Sequence, residues 1–226
     1  MADRVRVMIE RGRKKRDVAS AFDWPGWDRW AKIGEDVVAV LEAYRPRYAK
    51  VADLAGYRDE FAAAGELKVV EELPGIGMTG FYGVSMVSAT PEREPMTAAE
   101  CERKLALLRA AWTYLDGTAG RVSPELRLGP RGGGRDKPRI VRHVNGAEID
   151  EFAPKVGIKV PLETRDDPEA LRAYRDAFVE AIRERCARAE AMAGNWTLQF
   201  LIRHSAYHML DHAWEMEDRD LTGVAS

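Results

Sequence analysis

The sequence predicts an α+β protein: a small N-terminal β-β-β-α-β module followed by a four-helix unit. Three observations carry that prediction. Val5 to Ile9 alternates with polar residues at the period of a strand and further short extended pieces follow before residue 73, while long stretches after residue 96 repeat at the period of a helix. Between them, residues 74–95 carry Gly, Pro, Ser and Thr with little periodicity and read as a linker. The expected division is 1–73 for the α/β module, 74–95 for the linker and 96–226 for the helices. Finally, three of the four histidines in 226 residues stand four apart near the end, at His204, His208 and His212.

In chain order, Val5 to Ile9 alternates as a first strand and Asp17 to Phe22 gives a second, with a basic hairpin turn, RGRKK, between them. Pro25-Gly26 marks a sharp break. Asp28 to Ile33 is a third extended piece. Residues 35–54 read as one helix through Val37, Val38, Leu41, Tyr44 and Tyr48, with Pro46 an interruption it can tolerate. Leu67 to Glu72 offers the fourth strand. Thr97 with Glu100 forms a capping box at the start of helix A, which runs to about Gly120. Helix B starts near Pro138, where proline is accepted, and ends near Phe152. Helix C covers about Pro168 to Met192 and helix D about Trp196 to Glu217. The long segment between helices B and C can cross from one end of a bundle to the other, so those two helices can run parallel.

Composition excludes several classes. Apolar content of 46%, charged content of 32% and a net charge of −2 describe an ordinary globular chain. That balance argues against bulk electrostatic binding to nucleic acid or anionic membrane. No apolar run approaches the ~20 residues of a membrane span. The polar, basic N-terminus lacks an apolar signal core, so a cytoplasmic protein is expected. Cys101 and Cys186 belong to no CxxC pattern and are expected as reduced, partly buried thiols.

Helix D carries the chemistry. With His208 at the centre of a helical projection, His212 lies about 40° to one side, His204 about 40° to the other, and Glu215 about 20° away. Leu198, Leu201, Met209 and Met216 flank this strip on one side, and Phe200, Tyr207 and Trp214 on the other; Arg203 and Glu217 fall opposite. Histidines in the middle of a buried arc need partners. His143 shares a face of helix B with Ile140, Val144 and Ala147, so His143, His208 and His212 form a candidate metal triad. The alternative is three core histidines satisfied by hydrogen bonds. His204 is expected at the edge of the site or in solvent, with solvent preferred.

Helix D with His208-Met-Leu-Asp-His212, together with a histidine on the second helix of a four-helix unit, resembles the DinB-like superfamily over about residues 97 to 220. The resemblance implies an up-down-down-up bundle and a divalent metal, Zn²⁺, Ni²⁺ or Mn²⁺, on His143, His208 and His212. Similarity to members such as bacillithiol transferases and mycothiol-dependent maleylpyruvate isomerases implies a metal-dependent transferase or isomerase using a low-molecular-weight thiol on a small electrophile. A thiol coordinated at such an ion loses its proton at neutral pH. Asp211 and Glu215 are then candidate catalytic groups that orient imidazoles or accept that proton.

The segment RLGPRGGGRDKPR places Arg131 and Arg135 beside three glycines ahead of helix B. They are candidates for binding a carboxylate or phosphate of the small-molecule substrate, with a solvated basic loop as the alternative. The first 70 or so residues, with SAFDWPGW before a helix, resemble the HicB-like fold, which includes antitoxin partners of RNA-cutting toxins. A regulatory, toxin–antitoxin-type binding protein is therefore one competing expectation, and a non-catalytic metal-binding bundle is another. Trp24, Trp27 and Trp30 are expected to pack against the bundle or a second copy of the chain in a homodimer, rather than to stack on bases.

Overall fold

The computed structural model describes residues 4–129 and 134–222. Alternation along β1 (Val5–Arg11) sends Val5, Val7 and Ile9 to one side of the sheet and Met8 and Glu10 to the other. β2 (Arg16–Ser20) and β3 (Asp28–Lys32) follow as antiparallel neighbours. β4 (Leu67–Pro74) returns parallel to β1, giving the order β3-β2-β1-β4, with an irregularity between Val7 and Met8. β4 is a largely exposed edge, and Lys68, Glu71 and Glu72 on it discourage pairing with another chain.

The single helix expected over residues 35–54 is two: α1 (Val37–Ala43) and α2 (Arg45–Leu54). Pro46 lacks the N–H that a continuous helix would use and sits in the first turn of α2, where none is needed. A short α3 (Arg58–Ala62), missed in the sequence, closes the crossover. Trp27 is fully buried, stacks on Tyr48 at 5.5 Å and donates its indole N–H to the Leu41 carbonyl at 2.9 Å. Trp24 meets Phe61 edge-on at 4.8 Å. Neither indole is open to a nucleic-acid base.

Four long helices follow: α5 (Ala98–Arg121), α6 (Lys137–Ala147), α7 (Pro168–Ala187) and α8 (Leu198–Asp218). The Thr97–Glu100 capping box opens α5, with Glu100 accepting from the Thr97 N–H at 2.8 Å. α5 lies along α8 and also touches α7, and α6 contacts α8. Beyond α6 the chain continues through a π-helical turn, Glu148–Phe152, and two 3₁₀ turns before α7. No helix among the described residues is long and apolar enough to cross a membrane. Cys101 and Cys186 are not the reduced thiols expected: they form a disulfide that joins α5 to α7, with Cα atoms 6.5 Å apart. Their separation of 85 residues in sequence hid a proximity that only helix packing creates.

Residues 74–95, expected as an aperiodic linker, carry local structure and buried contacts. They form α4 (Gly77–Tyr82), a 3₁₀ turn at Thr90–Arg93 and a strap that fills the space between the sheet and α8. The reason is electrostatic. Glu10, fully buried on β1, accepts from the Thr79 hydroxyl at 2.9 Å, from the Ser85 hydroxyl and from the Met86 and Val87 amides. Arg203 on α8 is 1% exposed and donates to Glu92 of the strap at 2.7 Å, to Asp28 of β3 at 2.8 Å and to the Val87 carbonyl at 2.9 Å. Burial opposes this charge, but the carboxylates of Glu92 and Asp28 outweigh it and hold the guanidinium above its ordinary pKa. Most buried apolar residues of the sheet module and of the long helices merge into one contiguous core, and Met8, Phe22 and Ala89 form a smaller cluster of their own.

Two predictions follow from this packing. Closing so long a loop should contribute about 2–4 kcal/mol through the unfolded state. Reduction, or Cys101→Ser, is therefore expected to lower the unfolding free energy from a urea titration by that much, and an unchanged urea midpoint would count against the disulfide. Arg203→Met should leave two buried carboxylates without a cation and cost about 3–5 kcal/mol. A loss below about 1 kcal/mol in the same titration would show that the seam does not hold the modules together.

Candidate metal centre

Two helices place the three histidines. α6 is started by Asp136, whose side chain accepts from the Arg139 amide at 2.9 Å, with Pro138 in the first turn. That start sets His143 in the second turn, facing α8. On α8, spacing of four stacks His208 and His212 one above the other. One ring nitrogen from each of His143, His208 and His212 lies within 4.8 Å of the others. Their ring centroids are 4.9–5.2 Å apart, and the rings stand nearly perpendicular to one another at 79–89°. Nitrogens bound to one tetrahedral ion at ~2.1 Å would be about 3.4 Å apart, so small side-chain rotations suffice to close the set.

The surroundings suit neutral imidazoles. His143 is pushed down to about 4 by burial and by the charges of Arg135 and His212. Burial first, then the neighbouring histidines, holds His208 well below its ordinary value. Both rings therefore offer lone pairs at neutral pH. Among the described residues, the His208 Nδ1 is buried and has no hydrogen-bond partner. Such an orphan costs about 1–3 kcal/mol, and coordination through that atom would remove the cost.

His212 donates from Nδ1 to Glu215 Oε2 at 2.8 Å. An ionised carboxylate can only accept, so Nδ1 carries the proton and Nε2 is left with its lone pair toward the other rings. Burial raises the Glu215 carboxyl, but hydrogen bonds from His212 and Arg219 overcome it and hold the pKa below the usual range. Arg219 donates to Glu215 Oε1 at 2.6 Å, to the Arg127 carbonyl at 2.8 Å and to the Arg135 carbonyl at 2.8 Å. Arg219 was missed in the sequence, although its spacing of four from Glu215 is the signal that could have found it. It ties the loop ahead of α6 to the histidine helix.

The other expected site residues divide. Arg135 is exposed, close enough for its charge to act on His143 and His208. Arg131 lies outside the described residues. Asp211 pairs with Arg29 of β3 at 2.8 Å and hydrogen-bonds no histidine, so it joins the two modules instead of serving the triad. His204 does not reach solvent. It is 6% exposed, its Nδ1 is 3.0 Å from the Ser85 carbonyl, and Phe152, Trp196 and Phe200 surround it. The strap supplies its partner, and no periodicity in residues 74–95 signals that the strap would be there.

Burial, aided by the Arg203 charge, pushes His204 down to about 3. Its folded value lies below the unfolded ~6.5, so the contribution of the neutral ring is complete above pH ~6.5 and is lost as pH falls toward 3. One such group gives a slope of about 1.4 kcal/mol per pH unit across that window. His204→Gln, which keeps an N–H donor without titrating, is predicted to flatten the stability–pH curve by about one proton's worth. An unchanged slope in urea melts from pH 6 to 4 would place His204 outside the core.

No family model, no curated protein and no solved structure matches this chain.

Proposed function

We propose that this protein is a metal-dependent enzyme of the DinB-like kind, which uses a low-molecular-weight thiol against a small electrophile. The supporting observation is the convergence of three imidazoles from α6 and α8, with the His208 Nδ1 left without a partner among the described residues and Glu215 behind His212. A divalent ion held by His143, His208 and His212, whether Zn²⁺, Ni²⁺ or Mn²⁺, would supply a Lewis-acidic centre with open positions that lowers the pKa of a thiol. The chain's own groups do the rest. Glu215 fixes the His212 tautomer and ring plane and is a positioning residue, since both its oxygens are already engaged. Neither it nor Asp211, which Arg29 holds, is a free base. Arg135 offers an exposed cation beside the triad for a carboxylate on the thiol or the electrophile.

We read α5 to α8 as an up-down-down-up bundle on the same grounds. α5 lies along α8, and the long 153–167 segment between α6 and α7 leaves room for a crossover. The reading is tested by incubating untagged, metal-loaded protein with glutathione or cysteine and a set of activated alkenes and aryl halides. Thiol consumption is expected with the wild type and is expected to fall at least about 100-fold in His208→Ala. Glu215→Gln should weaken metal binding about 10–100-fold. Turnover that survives His208→Ala would overturn the proposal, and metal binding without turnover would leave a non-catalytic metal-binding bundle.

A further inference from the structure

The hairpin between β1 and β2 and the short helix α4 meet at one corner of the sheet, far in sequence from the histidines. They are locked together. A Cβ built on Gly12 would stand 2.7 Å from Gly80 Cα, and one built on Gly80 would stand 3.1 Å from the Arg13 amide nitrogen. Beneath them Thr79 is pinned to the buried Glu10, and Arg16 donates to the Phe81 carbonyl. Thr79 and Gly80 thus face inward, and helical spacing turns Met78, Phe81 and Tyr82 outward, 42%, 52% and 59% exposed. Ile33 extends the same apolar surface, because its amide bonds the Lys15 carbonyl at 3.1 Å.

Cations border this apolar tip. Arg13, Lys14 and Lys15 are exposed, and none of them forms an ion pair among the described residues. The acids beside the hairpin are engaged elsewhere: Glu10 is buried, and Asp17 and Glu72 share the single Arg11 guanidinium at 2.8 and 2.9 Å, which leaves one negative charge against the three exposed cations. A net charge near zero over the whole chain conceals this local excess of positive charge. The combination fits a surface that is both anionic and able to admit hydrocarbon.

We propose that this tip docks the protein on an anionic lipid surface, with Met78, Phe81 and Tyr82 entering the headgroup region and Arg13, Lys14 and Lys15 on the phosphates and carboxylates around them. A bilayer surface is favoured over single-stranded nucleic acid for two reasons. Met78 and Ile33 cannot stack on bases, and the Lys15 ammonium lies 4.3 Å from the Phe81 ring centroid, covering one stacking face. The docking is peripheral: α4, with six residues, lies at the interface and does not span it.

The test is cosedimentation of the full chain with phosphatidylcholine vesicles, with and without phosphatidylserine. Binding is expected only to the phosphatidylserine vesicles and should weaken sharply between about 0.1 M and 1 M salt. Each neutralised cation should weaken it about fivefold, so that Arg13→Gln, Lys14→Gln and Lys15→Gln together give about 100-fold. Phe81→Ser with Tyr82→Ser should weaken it about tenfold or more at unchanged charge. If that pair disturbs folding by circular dichroism, Lys14→Gln alone still carries the fivefold expectation. Equal binding to neutral vesicles, or none to either, would overturn the proposal. Binding to a single-stranded oligonucleotide in place of vesicles, or self-association in the ultracentrifuge lost with Phe81→Ser, would overturn it in favour of a different partner.

Discussion

The guanidinium of Arg203 is the constraint on which the arrangement depends. It is buried between Glu92 of the strap and Asp28 of β3, and so it fixes the rotation of α8 against the N-terminal sheet. A buried ion pair is a weak source of net stability, because the desolvation of both charges offsets their attraction. Its value lies in specificity: any other rotation of α8 leaves a charge buried alone. Counting about 100° per residue, His212 lies about 180° and His208 about 140° from Arg203. Locking one face of α8 to the sheet therefore aims the opposite face at α6 and His143.

The same logic extends outward. Arg29 with Asp211 joins β3 to α8 a little further along the helix. Glu215 and Arg219 carry the histidine strip into the loop ahead of α6, which fixes where that helix begins. The disulfide between Cys101 and Cys186 holds α5 to α7. The proposed metal triad thus sits between a polar seam and a hydrogen-bonded loop, both of which restrict the rings before any ligand arrives. Preorganisation of this kind is what a three-histidine site needs to bind tightly.

Much of this was legible in the sequence wherever the cause is local. Alternation located β1 and short extended runs between turn residues located β2, β3 and β4, the Thr97 capping box located α5, and helical faces put His143, His208 and His212 forward as a triad. The rest depends on what lies opposite a given face, which periodicity does not report. Arg203 was correctly placed opposite the histidines, but that face meets the strap and sheet, not solvent. His204 has its partner in the Ser85 carbonyl, 119 residues away in sequence. Asp211 looked like a histidine partner until β3 brought Arg29 to it. The strap itself has no periodicity because it is held by buried side-chain hydrogen bonds to Glu10 and Arg203, not by a repeating apolar face. Pro46 shows the smaller kind of error: a proline inside an otherwise good pattern ended one helix and began another.

The central claim is that His143, His208 and His212 hold one divalent ion. Metal analysis of protein expressed without a histidine tag, after gel filtration, tests it most directly. The account predicts close to one transition-metal ion per chain, absent when His143 and His212 are both replaced by alanine. Protein that carries no metal, and whose melting temperature does not change on adding Zn²⁺, Ni²⁺ or Mn²⁺, would contradict it.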